Sequence, residues 1–163
     1  MLVFDHNVRN APRAQRKQDG AQEPVLACHN DYTAASGPQR VRDLLPAVEA
    51  EDRLSRRFTF INVWRPIRGP VQDTPLAVCD AQSIGPDHFV ATDLKYPDRT
   101  GEVYSVSYQP GHRWYYFSDM QPDEAMLLKC YDSRTDGTAR FTAHSAFENP
   151  ASPADAVPRE SRP

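Results

Sequence analysis

Fifteen prolines are spread along the 163 residues, against seven glycines, and they constrain the fold more than any other feature. Proline fixes φ and has no N–H to donate, so it ends helices and is kept out of the middle of a sheet. The segments between the prolines are short and rich in β-branched and aromatic residues, which favours strands. We therefore expect a mainly β fold of short strands joined by turns.

One region has the pattern of helices, and seven segments have the composition of strands. Residues 36–46 predict a helix that begins at Ser36 and ends before Pro46. Residues 47–57 predict a second, charged helix. Several strands after a helical region indicate a sandwich or a barrel. The predicted strands are 24–29, 57–65, 75–81, 102–109, 113–119, 125–133 and 139–147, and one of the turns between them is 97–101.

Composition argues against several classes of function. The formal net charge of −3 does not favour nucleic acid or an anionic membrane as a partner. No apolar run approaches the roughly 20 residues of a membrane helix, and the N-terminus lacks the pattern of a secretory signal. Cys28, Cys79 and Cys130 are odd in number and far apart, which indicates free thiols in a reducing compartment. We expect one cytoplasmic domain.

His29 and Asp31 stand two positions apart at the end of the predicted strand 24–29. Alternate residues of a strand point to one face, so both side chains can reach a single metal ion. The same short pattern also fits a polar turn in which Asp31 caps the following helix. The pattern alone does not decide between these alternatives.

His144, on a late predicted strand, supplies a second imidazole. Two histidines and one carboxylate are the composition of the facial triad of non-haem Fe(II) oxygenases, whose open positions take a co-substrate and O₂. Neither position carries a cysteine, which argues against structural zinc. The alternative for His144 is a histidine of the core.

Arg159 and Ser161 follow in an R-x-S arrangement. A guanidinium binds a carboxylate through two parallel hydrogen bonds, and a neighbouring hydroxyl adds another. This pair suits the distal carboxylate of 2-oxoglutarate. Alone, R-x-S is more typical of a polar tail, but its place after H-x-D and a distant histidine makes the whole pattern more specific.

Five longer runs carry a resemblance to a known family: "HNDYT", "INVWRPIRGPVQDTPLAVCDAQS", "HRWYYFSDMQPDEAMLLKCYDS", "ARFTAHSAFENP" and "PRES". They resemble the CmcJ/AsaB-like hydroxylase/desaturase family, which includes fungal gibberellin desaturases and bacterial proteins linked to cephamycin tailoring. The resemblance implies a double-stranded β-helix (jelly roll) with flanking helices near residues 37–57. It also implies Fe(II), 2-oxoglutarate and O₂ as cofactors, and hydroxylation or desaturation of a small secondary metabolite.

The same resemblance implies a role for each candidate residue. His29, Asp31 and His144 are expected to be the iron ligands, and Arg159 with Ser161 the anchor of 2-oxoglutarate. The cysteines are expected to be core residues. Tyr32 is expected either to shape the mouth of the pocket or simply to pack. Asn62, Trp64 and Arg65 are expected to face the cavity and contact co-substrate or substrate; the alternative is an aromatic core residue beside a surface arginine.

Both ends of the chain depart from the family pattern. In the family an apolar strand follows "RES" and closes the barrel, whereas this sequence stops at Pro163. We therefore expect residues 1–163 to form a single oxygenase-like domain that is incomplete at both ends. Residues 1–23 would be an N-terminal extension, residues 24–161 the family-like core, and Arg159 would lie on a frayed terminus.

Three other functions stay open at this point. The chain can be a non-catalytic jelly-roll domain that binds a ligand or assists a partner enzyme of a biosynthetic pathway. It can be an inactive, truncated family member. A hydrolytic zinc enzyme is the weakest option, although His-Asp-His can hold zinc and a bound water.

Overall fold

The computed structural model describes residues 1–96 and 100–162. Residues 97–99, which belong to the predicted turn 97–101, lie outside this description, as does residue 163. The described helices are short and the strands predominate. The helices are Ala11–Gln15 (α1), Ser36–Leu44 (α2) and Ala47–Leu54 (α3), with a 3₁₀ turn at Pro86–His88, and the strands are His29–Asn30 (β1), Thr59–Pro66 (β2), Leu76–Cys79 (β3), Phe89–Lys95 (β4), Thr100–Val106 (β5), Trp114–Tyr116 (β6), Met126–Asp132 (β7), His144–Ala146 (β8) and Ser161–Arg162 (β9).

The strands form two antiparallel sheets. The larger sheet has the order β4-β5-β1-β8-β3-β6, and the smaller has the order β7-β2-β9. One buried cluster joins them, since it contains Leu76 of the larger sheet together with Trp64 and Leu128 of the smaller. A core enclosed between two antiparallel sheets is the arrangement of a double-stranded β-helix. The predicted mainly β jelly-roll class is confirmed.

The two predicted helices are α2 and α3. Leu45, the residue before Pro46, has an extended backbone, so α2 ends where the proline disfavours helical geometry. Helix α2 lies close to strand β7 at Gly37: a Cβ at this position would be 2.5 Å from the ring of Tyr131. Only a residue without a side chain permits this approach of helix and sheet.

Several strands are shorter than predicted, and one strand was not predicted. At the predicted strand 24–29 only His29–Asn30 forms a ladder, and residues before it make separate backbone bonds, such as Ala146 N–H to Val25 O at 2.9 Å; at the predicted strand 139–147 the ladder is His144–Ala146. Strand β4, which was not among the predicted strands, pairs with β5 along its whole length. Its side chains are mostly exposed, so it lacks the apolar alternation that marks a half-buried strand.

The expectation of a frayed C-terminus is wrong. Strand β9 pairs with β2 on one side, and on the other side Arg9 and Ser161 exchange backbone hydrogen bonds of 2.8 and 3.1 Å. Asn10 Nδ2 also donates to the carbonyl of Arg159. Arg159 is 4% exposed, because a segment from the opposite end of the chain holds β9 in place. Within the described ranges, no helix has the length and apolar character needed to cross a membrane.

Candidate metal centre

Three potential metal ligands meet at neighbouring strands of the larger sheet. His29 on β1 lies directly opposite His144 on β8, so the two imidazoles project to the same side of the sheet. Asp31 follows β1 and turns back toward them, with Oδ1 at 3.5 Å from His29 Nε2 and 3.7 Å from His144 Nε2. Among the residues that the structure describes, this trio is the group whose ligand atoms lie within 4.8 Å of one another.

Each histidine is oriented by a backbone carbonyl. His29 Nδ1 lies 2.7 Å from Ala27 O, and His144 Nδ1 lies 2.8 Å from Thr142 O. A carbonyl has no proton to give, so each Nδ1 carries the hydrogen and donates it. Both Nε2 atoms lie on the side of Asp31, and in a neutral imidazole each Nε2 offers a lone pair there, which is the usual way of presenting histidine to a metal.

Asn30, which stands between the two ligands of β1, locks the surrounding segments together. The side chain is fully buried, and its Nδ2 donates to Tyr32 O at 2.6 Å and to Cys130 O at 2.9 Å. Its Oδ1 accepts from the Thr142 N–H at 3.0 Å. One amide therefore ties the ligand loop to strand β7 and to the segment that orients His144.

The second oxygen of Asp31 has a different partner. Cys130 Sγ donates to Asp31 Oδ2 at 3.0 Å, and Cys130 is 1% exposed. Burial and the adjacent carboxylate raise the pKa of this thiol far above its usual value, so the thiol is protonated and able to donate.

The surroundings of Asp31 and His144 favour the protonation states that bind metals, whereas those of His29 favour its protonated form. Burial alone raises the pKa of Asp31, but hydrogen bonds from His29 and Cys130 and the charge of His144 outweigh it and bring this pKa well below its usual value. Burial lowers the pKa of His144, which favours neutral imidazole. A carboxylate and neutral imidazole are the forms that ligate metals. The pKa of His29 is raised, since Asp31 and the Ala27 carbonyl together outweigh the effect of burial.

Ser161 begins strand β9, and Arg159 precedes it by two residues. Arg159 Nη1 donates to Thr74 O at 2.6 Å, and its guanidinium stacks over the ring of Trp64 at 5.6 Å. Burial and the charge of Arg9 lower the pKa of Arg159 to about 10, so it is still a cation at neutral pH. A cavity of about 440 Å³ opens beside it.

One nitrogen of this guanidinium and the hydroxyl of Ser161 have no hydrogen-bond partner. Buried polar groups in proteins are nearly always paired, so each exception calls for an explanation. In the part of the chain that the structure describes, three buried side-chain polar atoms have no hydrogen-bond partner: Asn62 Oδ1, Arg159 Nε and Ser161 Oγ. A free N–H of a cation and a free hydroxyl on alternate residues are suited to a bound carboxylate.

Known proteins match both the sequence and the fold. A family model described as an oxidoreductase/YMDC permease-like domain matches residues 1–162. Aspirochlorine biosynthesis protein N of Aspergillus oryzae is 42% identical over 155 residues, which are 88% of this chain and 63% of the relative. Hydroxylase/desaturase asaB of Aspergillus flavus is 41% identical over 136 residues, 74% of this chain and 59% of the relative. This chain belongs to the hydroxylase/desaturase family.

A solved structure agrees with this assignment. The iron and alpha-ketoglutarate-dependent endoperoxidase NvfI has a TM-score of 0.88 to this chain at 31% identity, and the match covers 99% of this chain and 58% of that one. The Fe(II)/2-oxoglutarate-dependent dioxygenase nvfI of Aspergillus novofumigatus is 36% identical over 162 residues. The chain spans about three fifths of the length of these relatives. The family resemblance seen in the sequence is confirmed.

The residues expected to line the pocket differ in the direction of their side chains. Asn62 and Trp64 are on the inward face of β2, but Arg65 is exposed on the opposite face. Successive side chains of a strand point to opposite faces, so Trp64 and Arg65 cannot both face the cavity, and the prediction for Arg65 is wrong. Tyr32 stacks on Phe60 with ring centroids 4.5 Å apart, and burial raises the pKa of Tyr32 to about 12.

Three residues of the site were not predicted from the sequence. Asn30 and Cys130 contact the ligand segments directly, and the charge of Arg9 acts on His29, His144 and Arg159. No local motif marks any of them, because each acts across the sheets rather than along the chain. The one available signal was the position of Asn30 inside the H-x-D pattern.

Proposed function

We propose that this chain forms the core of an Fe(II)- and 2-oxoglutarate-dependent oxygenase that hydroxylates or desaturates a small secondary metabolite. One observation carries the proposal: the chain holds a His-Asp-His trio together with a buried guanidinium nitrogen, Arg159 Nε, and a buried hydroxyl, Ser161 Oγ, that lack hydrogen-bond partners. A metal ion and a dicarboxylate would satisfy all of these groups at once. The names of the relatives, which are hydroxylases, desaturases and Fe(II)/2-oxoglutarate-dependent dioxygenases, support the same activity.

The residues present fit both groups. His29, Asp31 and His144 would hold Fe(II), since imidazole and carboxylate are the ligands of non-haem iron and no thiolate faces the trio's Nε2 and Oδ1 atoms. Arg159 and Ser161 would hold the far carboxylate of 2-oxoglutarate. Bound together with O₂, these cofactors supply the oxidising power that removes a hydrogen atom from an unactivated C–H bond.

The chain's own residues supply geometry and exclude water. Ala27 and Thr142 fix the tautomers of the two histidines, so neither ring rotates away from the metal. Trp64 forms an apolar platform under the Arg159 guanidinium and shields it from solvent. A shielded cation binds a carboxylate more strongly than an exposed one, because the local dielectric is lower.

The unpaired Arg159 Nε and Ser161 Oγ favour an oxygenase over the other functions that the sequence leaves open. A zinc hydrolase needs a metal-bound water but has no requirement for a second buried carboxylate site. A purely accessory domain has no requirement for either. We further propose a cytoplasmic location, supported by three free cysteines; a partner enzyme stays a prediction.

Succinate formation tests the proposal. With Fe(II), 2-oxoglutarate and O₂, the wild-type chain should release succinate, and Asp31→Ala should abolish it. Arg159→Ala should raise the half-saturating 2-oxoglutarate concentration about 10- to 100-fold, since hydrogen bonds to charged groups contribute about 1.5–3 kcal/mol. Arg159→Lys keeps the charge but loses the planar fork, so its half-saturating 2-oxoglutarate concentration should lie between those of the wild type and Arg159→Ala.

A matched control is available on the same strand. Arg162 lies on β9 like Ser161 but is exposed, so Arg162→Ala should leave the 2-oxoglutarate requirement unchanged. A folded wild-type chain that makes no succinate contradicts the proposed activity. Equal effects of the Arg159 and Arg162 substitutions contradict the proposed anchor.

A further inference from the structure

The two oxygens of Asp31 stand in different environments. Oδ1 faces both histidine Nε2 atoms, whereas Oδ2 accepts a hydrogen bond from Cys130 Sγ at 3.0 Å. A free carboxylate can bind a metal through one oxygen or through both. Here the thiol already occupies the oxygen that a second bond to the metal would need.

An irregularity in β7 places the thiol there. The register of β2 and β7 shifts between Phe60, which pairs with Tyr131, and Ile61, which pairs with Lys129. Cys130 falls between these pairs as the extra residue of a β-bulge. Bulges change the direction of a side chain and are frequent beside functional sites. The carbonyl of Cys130 is bonded instead by Asn30 Nδ2, so the bulge is fixed to the ligand loop.

The direction of the hydrogen bond follows from the groups involved. A thiol has one proton, and a carboxylate can only accept. The other acceptor within reach, Leu128 O, is farther away at 3.6 Å and carries no charge. Hydrogen bonds to charged acceptors are the stronger ones, so the proton is directed to Asp31.

We infer that Cys130 is a positioning residue that makes Asp31 bind the metal through Oδ1 alone. The inference rests on the proposed function for the presence of the metal, and on the sulfur–oxygen contact and the bulge for the role of the thiol. A carboxylate that uses one oxygen leaves one more coordination position free than a carboxylate that uses two. An Fe(II) centre that must accept two atoms of a keto acid and also O₂ needs that position.

Co(II) binding tests the inference without turnover, because its visible absorption reports the coordination number. Cys130→Ala should weaken Co(II) binding about 10-fold or more, the usual effect of removing a group that orients a metal ligand. Its Co(II) spectrum should also differ from that of the wild type, since Oδ2 is released. Cys130→Ser keeps a proton donor and should restore most of the affinity and the wild-type spectrum.

Cys79→Ala is the matched control. Cys79 is a buried cysteine on β3 whose Sγ contacts Ser83 and the Asp80 carbonyl rather than a candidate ligand. Cys79→Ala should be less stable than the wild type because a buried side chain is shortened, but it should bind Co(II) as the wild type does. Thermal unfolding of each variant separates a loss of fold from a loss of metal.

The outcomes are distinguishable. If Cys130→Ala and Cys79→Ala bind Co(II) equally well with the same spectrum, Cys130 is only a core residue and the inference is overturned. If serine fails to restore what alanine removes, the thiol acts through its volume and the inference is again overturned. A wild-type chain that does not bind Co(II) contradicts the proposed function, and with it the inference.

Discussion

Asn30→Ala removes the amide that ties the metal-ligand loop to two other parts of the fold. The substitution deletes three hydrogen bonds: a buried one with the Cys130 carbonyl, and two part-buried ones with the Tyr32 carbonyl and the Thr142 N–H. Asn30 itself is 0% exposed, so water cannot easily replace the lost amide. We expect a large loss of stability together with a loss of metal affinity.

The magnitude follows from the groups left unpaired. Each buried donor or acceptor without a partner costs about 1–3 kcal/mol, so the buried Cys130 carbonyl and the two part-buried groups, counted together as one, cost about 2–6 kcal/mol. This is a large share of the roughly 5–15 kcal/mol by which an ordinary domain is stable. For a domain of this size, each kcal/mol lowers Tm by about 2–4 °C, so Tm should fall by about 4–24 °C.

Urea unfolding followed by far-UV circular dichroism measures this loss, and Co(II) titration of the folded variant measures the effect on the site. Asn149→Ala is the control, since the Asn149 side chain caps an exposed turn by accepting from the Ala151 N–H. It should change the free energy of unfolding by less than about 1 kcal/mol. If Asn30→Ala is no more destabilising than Asn149→Ala, the reasoning about Asn30 is refuted.

Two further predictions concern the region around β7. Gly37→Ala raises intrinsic helix propensity by about 1 kcal/mol but places a methyl group 2.5 Å from the buried Tyr131 ring, and such overpacking costs about 1–3 kcal/mol, so urea unfolding should show a net loss of up to about 2 kcal/mol. A more stable variant would show that α2 can move away from the sheet. Hydrogen bonds from Arg57 hold the pKa of the buried Asp132 carboxyl well below its usual value, so its stabilising effect is present above the ordinary aspartate pKa and is lost as the pH falls. Asp132→Asn should therefore be less stable than the wild type at pH 7 and approach it in acid; a difference that does not change with pH contradicts this account.

The sequence predicted the juxtaposition of His29, Asp31 and His144 because each signal was local to one segment. H-x-D at a strand end puts two side chains on one face, and only the pairing of β1 with β8 had to be added. The strand that holds Asn62 and Trp64 was also predicted from its local sequence. The prediction that Arg65 faces the cavity was wrong because successive side chains of a strand point to opposite faces, so the neighbour of the inward Trp64 points outward.

The remaining features depended on contacts between distant segments. Nothing near Arg9 indicates that it pairs with Ser161, yet this pairing prevents the C-terminal end from fraying. The position of the β7 bulge, and with it the contact of Cys130 with Asp31, depends on the register between β2 and β7. Such features follow from packing across the fold, which short sequence patterns do not encode.

Anaerobic spectroscopy tests the central claim most directly, because it detects iron and 2-oxoglutarate in one site before any turnover. Fe(II) is added to the wild-type chain without O₂, and 2-oxoglutarate is then titrated in. We predict a weak visible charge-transfer band that saturates with 2-oxoglutarate, is absent in Asp31→Ala and needs much more 2-oxoglutarate in Arg159→Ala. A folded wild-type chain that develops no band, or an Asp31→Ala variant that develops the full band, would contradict the assignment of this centre.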